Sequence, residues 1–259
     1  MLILPKSSIR KHLLYLFISF PFLFLLPQGL EAAINTPYFN HVTLSLGLVS
    51  PPDHGTAFSI YGFDISKYQS KVEWDKIRQE KAVHNALTFV FIKAVEGISI
   101  TDDFFTSNWH EARKYGIIRG AYEFFYPQLD PILQAKNFER NVHLKKGDLP
   151  PVIDVEVSGG KSAKEIRKSV HRWLNAIKRH YGVNPIIYTN AHFYRNYLGR
   201  EFDQYPLWIS HYTTTQPDIQ RKWLFWQRTN LKRISGIHTV VDFDVFNGNS
   251  RNLMGVLLP

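Results

Sequence analysis

The sequence contains no cysteine. That excludes disulfides, zinc–thiolate centres and thiol nucleophiles, and leaves the redox compartment open. It contains no arginine-rich arm and no zinc-finger spacing, so its basic residues are not arranged for nucleic acid. No pair of histidines stands at ligand spacing beside the acidic residues, so neither a metal nor another cofactor is expected. Acidic residues are in deficit, 22 against 31 Lys and Arg, a net charge of +9 that suits an anionic partner such as a membrane surface or a wall polymer.

What is present falls into three parts. Residues 1–33 have a basic start and an apolar run from Leu13 to Leu26, shorter than the ~20 residues of a membrane helix. Ala32 and Ala33 suit a cleavage site, whereas Leu30 and Glu31 do not, so a signal peptide and a retained membrane anchor both stay open. Either sends the rest across the inner membrane, to be periplasmic, secreted, or anchored at its outer face. Residues 34–59, with Pro37, Pro51, Pro52 and Gly55, read as a spacer. Residues 60–259 read as one globular domain, expected to be monomeric. The 259-residue chain is 44% hydrophobic, enough for one sizeable core. Its 15% aromatic content fits either an extended cleft or an aromatic-rich interior.

From Ile60, apolar runs alternate with amphipathic stretches. "IYGFDIS", "LTFVFIKAVEG", "IIRGAYEFFYP", "LPPVIDVEV" and "NPIIYTN" read as buried strands. Between them, helices are expected over Val72–Lys81, Asp103–Tyr115, Pro131–Leu144 and Ser162–Tyr181, with capping residues at their starts and glycine stops in "KYG" and "HYG". Past Asn190 the helical signals fade, and "YPLWISHY", "KWLFWQRT" and "HTVVDFDVF" read as strands joined by loops. The pattern is α/β, a (β/α) barrel lacking helices in its last third.

Functional groups of such barrels gather at the carboxyl ends of the strands. Asp64, Glu96, Glu123, Asp154, Glu156, Asp242 and Asp244 all fall there. Asp154 and Glu156, two apart, face one way about 6.5–7 Å apart at the backbone. Carboxylates crowded in one cleft cannot all ionise freely, and a raised proton affinity is what a general acid needs. Glycoside hydrolysis commonly uses such a pair. A solvated strand end, or a divalent-metal site, would leave the same D-x-E trace.

In their order along the chain, "GFDISKYQ", "FVFIKAVEG", "GIIRGAYEFFYP", "PVIDVEV", "PIIYTN", "PLWISHY", "FWQRT" and "VDFDVFNG" resemble the lysozymes of glycoside hydrolase family 25, from about Tyr61 to Gly248. The resemblance implies a modified TIM-like (β/α)5(β)3 barrel and a muramidase acting on peptidoglycan glycan strands. It implies Glu156 as general acid, Asp154 as its assistant, and Asp64 and Asp242 as the rest of the acidic cluster. Tyr122, Tyr188, Trp208 and Gln227 match positions lining sugar subsites. Two positions depart from the pattern: Glu123, where many members have His, and Asp244, where many have Asn. Both are expected to add negative charge near the cleft and to act on Glu156 or on the subsites.

Competing readings are a chitinase-like glycosidase, a non-catalytic wall-binding module and a metal-dependent phosphodiesterase. Lys93 is expected to form a structural ion pair within the barrel. Trp109, Trp173 and Trp223 read as packing residues, and Trp208 as a sugar platform. His192, His211 and His238 read as surface or packing residues, and the basic residues of Lys161–Arg179 as a solvated helix face.

Overall fold

The computed structural model of the chain describes residues 58–84, 87–212 and 214–259. The expected leader, 1–33, and the spacer up to residue 57 lie outside the described residues.

Among the described residues nine strands form one sheet: β1 (Tyr61–Ile65), β2 (Leu87–Glu96), β3 (Ile100–Thr101), β4 (Ile118–Phe124), β5 (Val152–Asp154), β6 (Ile186–Asn190), β7 (Leu207–Ser210), β8 (Phe225–Lys232) and β9 (Val241–Phe246). Their order is β1-β9-β8-β7-β6-β5-β4-β2-β3, and β1 also pairs with β2. All but the short edge strand β3 therefore close into a barrel. Neighbours from β1 round to β8 run parallel, while β9 is antiparallel to both β8 and β1. Helices α1 (Trp74–His84), α2 (Phe105–Lys114), α3 (Pro131–Asn141) and α4 (Ala163–Tyr181) cover the outside. After β6 the chain makes a broken series of turns from Ala191 to Phe202, one of them with π-helical bonding, in place of a regular helix. This is the (β/α)5(β)3 barrel, with its fifth helix irregular.

Local chemistry sets these elements. Ser162 caps α4 by accepting from Glu165 N, and Glu165 answers at Ser162 N, a capping box. Gly182 closes the same helix in the left-handed region at φ 74°. Ile166, Val170, Trp173, Leu174 and Ile177 form its buried stripe. Asp130 caps α3, with Pro131 in the first turn. That helix stops at Asn141, short of the expected Leu144, because Val142 is already extended. Helix α1 starts at Trp74 rather than Val72, since Glu73 N donates to Gly236 O instead of entering the helix.

Strand alternation divides the apolar residues into two sets. Phe89, Phe91, Tyr122, Val152, Ile186, Tyr188, Trp208, Phe225 and Phe246 fill the interior, and Leu253 of the short helix Ser250–Met254 joins them. Val90, Ile92, Ala121, Ile153, Ile187, Ile209 and Trp226 pack outward with the helices. The interior rings of β2 leave no room on the strands to either side of it: a Cβ at Gly62 on β1 would lie 2.3 Å from Phe89, and at Gly120 on β4 2.6 Å from Phe91.

The outer layer also holds a buried ion pair. Arg119 on β4 gives Nε and Nη2 to the Asp148 carboxylate at 2.8 and 3.1 Å, and its guanidinium lies 3.9 Å from the centre of the Trp109 ring. Replacing Arg119 leaves the buried Asp148 carboxylate only the longer contact to half-exposed Arg113 at 3.5 Å and the Lys145 N–H. Arg119→Met is expected to cost about 3–5 kcal/mol in urea unfolding, and Arg119→Met/Asp148→Leu to recover a substantial part of it.

Candidate active site

In the parallel strands the carboxyl ends define the mouth of the barrel. Because β9 runs the other way, its beginning lies there instead. Asp64 on β1 pairs in register with Asp242 on β9, and Gly62 pairs with Asp244. Asp242 thus stands at the mouth and Asp244 one layer deeper, on the same inward face. Asp154 ends β5 and Glu156 follows two residues on, half-buried above it.

Hydrogen bonds tie these groups into one network. Gln227 Nε2 donates to Asp64 Oδ2 at 2.7 Å, and Gln227 Oε1 accepts from the Tyr188 and Tyr212 hydroxyls at 2.9 and 2.7 Å. Tyr212 also lies 3.1 Å from Asp242 Oδ1. Asn190 donates to the Glu156 carboxylate. Trp208 Nε1 donates to Asp244 Oδ1 at 2.8 Å. Asp154 Oδ1 is buried and accepts no hydrogen bond, while Asp244 also shares a hydrogen bond with the Asp64 carboxyl.

Burial is the first cause of raised proton affinity at every one of these carboxyls. For Asp64 repulsion from Asp242 and Asp244 adds to it, against the Gln227 hydrogen bond. For Asp154 the Glu156 charge adds to it, against Lys93. Glu156 is raised by burial and then by Asp242, and is eased by Lys93 and Asn190. Asp242 is pushed up to about 6, with Tyr212 pulling the other way. Asp244 is held well above the usual carboxyl range by burial, with Trp208 opposing. Neighbouring buried carboxyls such as Asp64 and Asp244 cannot both carry charge, so protons stay in the cluster at neutral pH.

Lys93, inward on β2, makes the ion pair expected of it: its Nζ lies 2.6 Å from Glu96 Oε2, and the Tyr126 hydroxyl donates to Glu96 Oε1 at 2.6 Å. Asp64, Asp154, Glu156, Asp242, Asp244, Tyr188 and Gln227 are thus brought together, and Tyr122 lines the same interior, its hydroxyl held neutral by burial and the Asp64 and Asp154 charges. Two expected placements are corrected. Glu123 does not face the cleft: it neighbours inward-facing Tyr122, so it points outward, where Trp173 Nε1 of α4 donates to it at 2.8 Å. Its carboxyl is fully buried, and that burial raises its proton affinity well above the usual carboxyl range against the Trp173 hydrogen bond. Trp208 is not an open sugar platform. Its ring is 2% exposed, stacked on Phe91 at 4.1 Å, and it meets the site through Nε1. Tyr212 and Asn190, not singled out in the sequence, also belong to the network. Among the described residues no group of three acidic or histidine side chains is arranged to hold a metal ion.

A closed barrel with proton-rich carboxyls at its mouth defines a class, the barrel glycoside hydrolases. The sequence model described as "Glycosyl hydrolases family 25" matches residues 63–237, and the chain belongs to that family. The YegX protein of Escherichia coli O6:H1 is 40% identical over 200 residues, 77% of this chain and 74% of that one. Lysozyme M1 of Streptomyces globisporus is 28% identical over 252 residues, 89% of this chain and 84% of that one. A solved family 25 glycosyl hydrolase from Bacillus anthracis matches with a TM-score of 0.72 and 31% identity, covering 78% of this chain and 94% of that one.

The cluster has a consequence for stability. Asp242 binds its proton more tightly folded than unfolded, about 6 against 3.8. Its stabilising contribution is complete below about pH 4 and lost as pH rises through about 6. Thermal unfolding is expected to lose on the order of 1–2 kcal/mol from this group between pH 4 and pH 7.5. Asp242→Asn should flatten that fall, and parallel melting curves for the two proteins would contradict the assignment.

Proposed function

We propose that the protein is a muramidase that hydrolyses the β-1,4 bond between N-acetylmuramic acid and N-acetylglucosamine in peptidoglycan. The observation that carries this reading is the pairing of Glu156 with Asp154. Glu156 is half-buried at the mouth with raised proton affinity, and Asp154 stands below it with one oxygen, Oδ1, accepting no hydrogen bond. Membership of glycosyl hydrolases family 25, and a relative named lysozyme, support the same substrate class.

Glu156 gives its proton to the glycosidic oxygen as that bond breaks, so the departing sugar leaves as an alcohol. Asp154 steadies the substrate acetamido group through its free oxygen, and the acetamido oxygen attacks the anomeric carbon from the opposite face. Water then opens the resulting ring and returns a proton to Glu156. Asp64 and Asp242, joined through Gln227 and Tyr212, hold the cluster in place and balance positive charge developing at the sugar. The chemistry needs no cofactor. Asp244 acts on Asp64 from below, and Glu123 acts outside the cleft.

The leader carries the barrel across the inner membrane, either cleaved or retained, and the basic protein works as a monomer on an anionic wall. Among the described residues no helix is long and apolar enough to cross a membrane.

Glu156→Gln is expected to lower release of muropeptides from purified walls by about 10²–10⁴-fold while the circular dichroism spectrum stays native. Mass analysis of wild-type products should show N-acetylmuramic acid at the new reducing ends. Chitin cut as readily as the wall would favour the chitinase-like reading. Wall binding with no new reducing ends would favour the non-catalytic module.

A further inference from the structure

The loop after β1, Ser66 to Ser70, begins two residues past Asp64 and carries an exposed aromatic side chain. Tyr68 is 73% exposed, more than any other large apolar side chain among the described residues. A lone exposed aromatic means little. It is not the only exposed apolar side chain in this part of the fold: Ile98 is 39% exposed, Ile100 50% and Val240 38%. All lie on segments tied to the same loop. Asp102, two residues past Ile100, accepts from Lys67 N at 2.7 Å, and Val240 O accepts from Gln69 Nε2 at 3.4 Å.

The loop is also held stiffly. Ser66 and Gln69 cap its single 3₁₀ turn reciprocally, and Ser70 N donates to Lys67 O. Ser70 sits at φ 55°, the only described residue other than glycine with positive φ. Such backbone costs on the order of 1–3 kcal/mol and persists only where the surroundings enforce it. A rigid loop thus presents an aromatic ring to solvent with little conformational freedom to lose on binding.

Its place on the rim is fixed by its neighbours. The loop leaves the carboxyl end of β1, where Asp64 pairs with Asp242 at the mouth, and Lys67 N and Gln69 Nε2 tie it to Asp102 and to Val240, the residue before β9. Tyr68 is therefore carried on the rim, beyond the cluster.

We infer that Tyr68, with Ile98, Ile100 and Val240 exposed on the segments that hold its loop, is a distal sugar-binding platform on which a further ring of the glycan strand stacks. Sugar rings carry an apolar face of axial C–H bonds that suits an aromatic face, and the acetamido and lactyl methyl groups suit the isoleucines. The platform selects long strands over short ones. The inference rests on the muramidase reading for its ligand, and on the loop alone for its geometry.

The test compares wild type, Tyr68→Ala and Tyr68→Trp on glycan strands of graded length. Met254, 64% exposed on the helix after β9, supplies the control Met254→Ala. Tyr68→Ala should raise KM on the longest strands about tenfold, and by progressively less on shorter ones, with kcat reduced by less than twofold. Tyr68→Trp should keep the wild-type KM, and Met254→Ala should change neither constant. Equal KM changes at every strand length, or a fall in kcat as the main effect, would overturn the platform. A parallel measurement with Glu156→Gln reads strand binding by calorimetry without turnover. Strands that bind this variant and lose affinity with Tyr68→Ala uphold the platform even if wild type cuts no wall, which would defeat the muramidase reading alone. Equal affinity with and without Tyr68→Ala would remove the platform.

Discussion

The structure turns on the burial of carboxyl groups over an apolar floor. Asp64, Asp154, Asp242 and Asp244 sit above a barrel interior packed with Phe89, Phe91, Phe225 and Phe246. The inward cation that acts on the pair, Lys93, is engaged by Glu96. Positive charge is thus too scarce to neutralise the cluster, and protons take its place. A floor without polar groups keeps water from entering below and relieving the repulsion. The aromatic filling of the barrel is in this sense part of the surroundings that set the cluster's proton affinity.

The antiparallel strand β9 gives the cluster its depth. Had the last strand run parallel, Asp244 would stand at the rim and Asp242 below it. As built, Asp242 shares the rim with Asp64, while Asp244 lies beside Gly62, where no side chain competes for the space. The same two-residue spacing that puts both on one face places them in different surroundings. Asp242 meets Tyr212 near water, and Asp244 meets Trp208 in the interior. A hydrogen-bonded Gln227 between Asp64, Tyr188 and Tyr212 links three strands and the loop after β7, so the side chains of the cluster are fixed against one another.

Much of this was legible in the sequence because the signals were local. Helices α3 and α4 were marked by Asp130 and Ser162 at their starts, and strand ends by the acidic residues themselves. Glu123 shows a signal read incompletely. If Tyr122 faces inward, period-two alternation sends Glu123 outward, and the resemblance of its neighbourhood to a sugar-binding segment obscured that rule. Trp208 departs from expectation for another reason. Position at a strand end does not reveal how many aromatic neighbours will cover a ring, and Phe91 comes from a strand more than a hundred residues earlier. Tyr212 left no periodic trace, since it follows its strand in a loop, whereas Asn190, two residues past inward-facing Tyr188 at the end of β6, was marked by alternation and not singled out. The irregular turns between Ala191 and Phe202 were equally silent, having neither a helical stripe nor a strand alternation.

A comparison of three buried acids shows what distinguishes a functional carboxyl here. Asp148 on the outer face is satisfied by Arg119 and by Lys145 N, and it holds structure. Asp154 keeps one oxygen that accepts nothing, at an inward strand end beside Glu156. Glu123 also keeps a free oxygen, yet it faces Trp173 and the helices. An unsatisfied buried oxygen is therefore not a sufficient mark of a site. It becomes one when strand alternation turns it inward and strand direction carries it to the mouth, because only there can an arriving ligand supply the missing donor. Asp154 meets both conditions, whereas Glu123, near the end of β4 but turned outward, meets only the second, which is why one lies in the cluster at the mouth and the other belongs to the core.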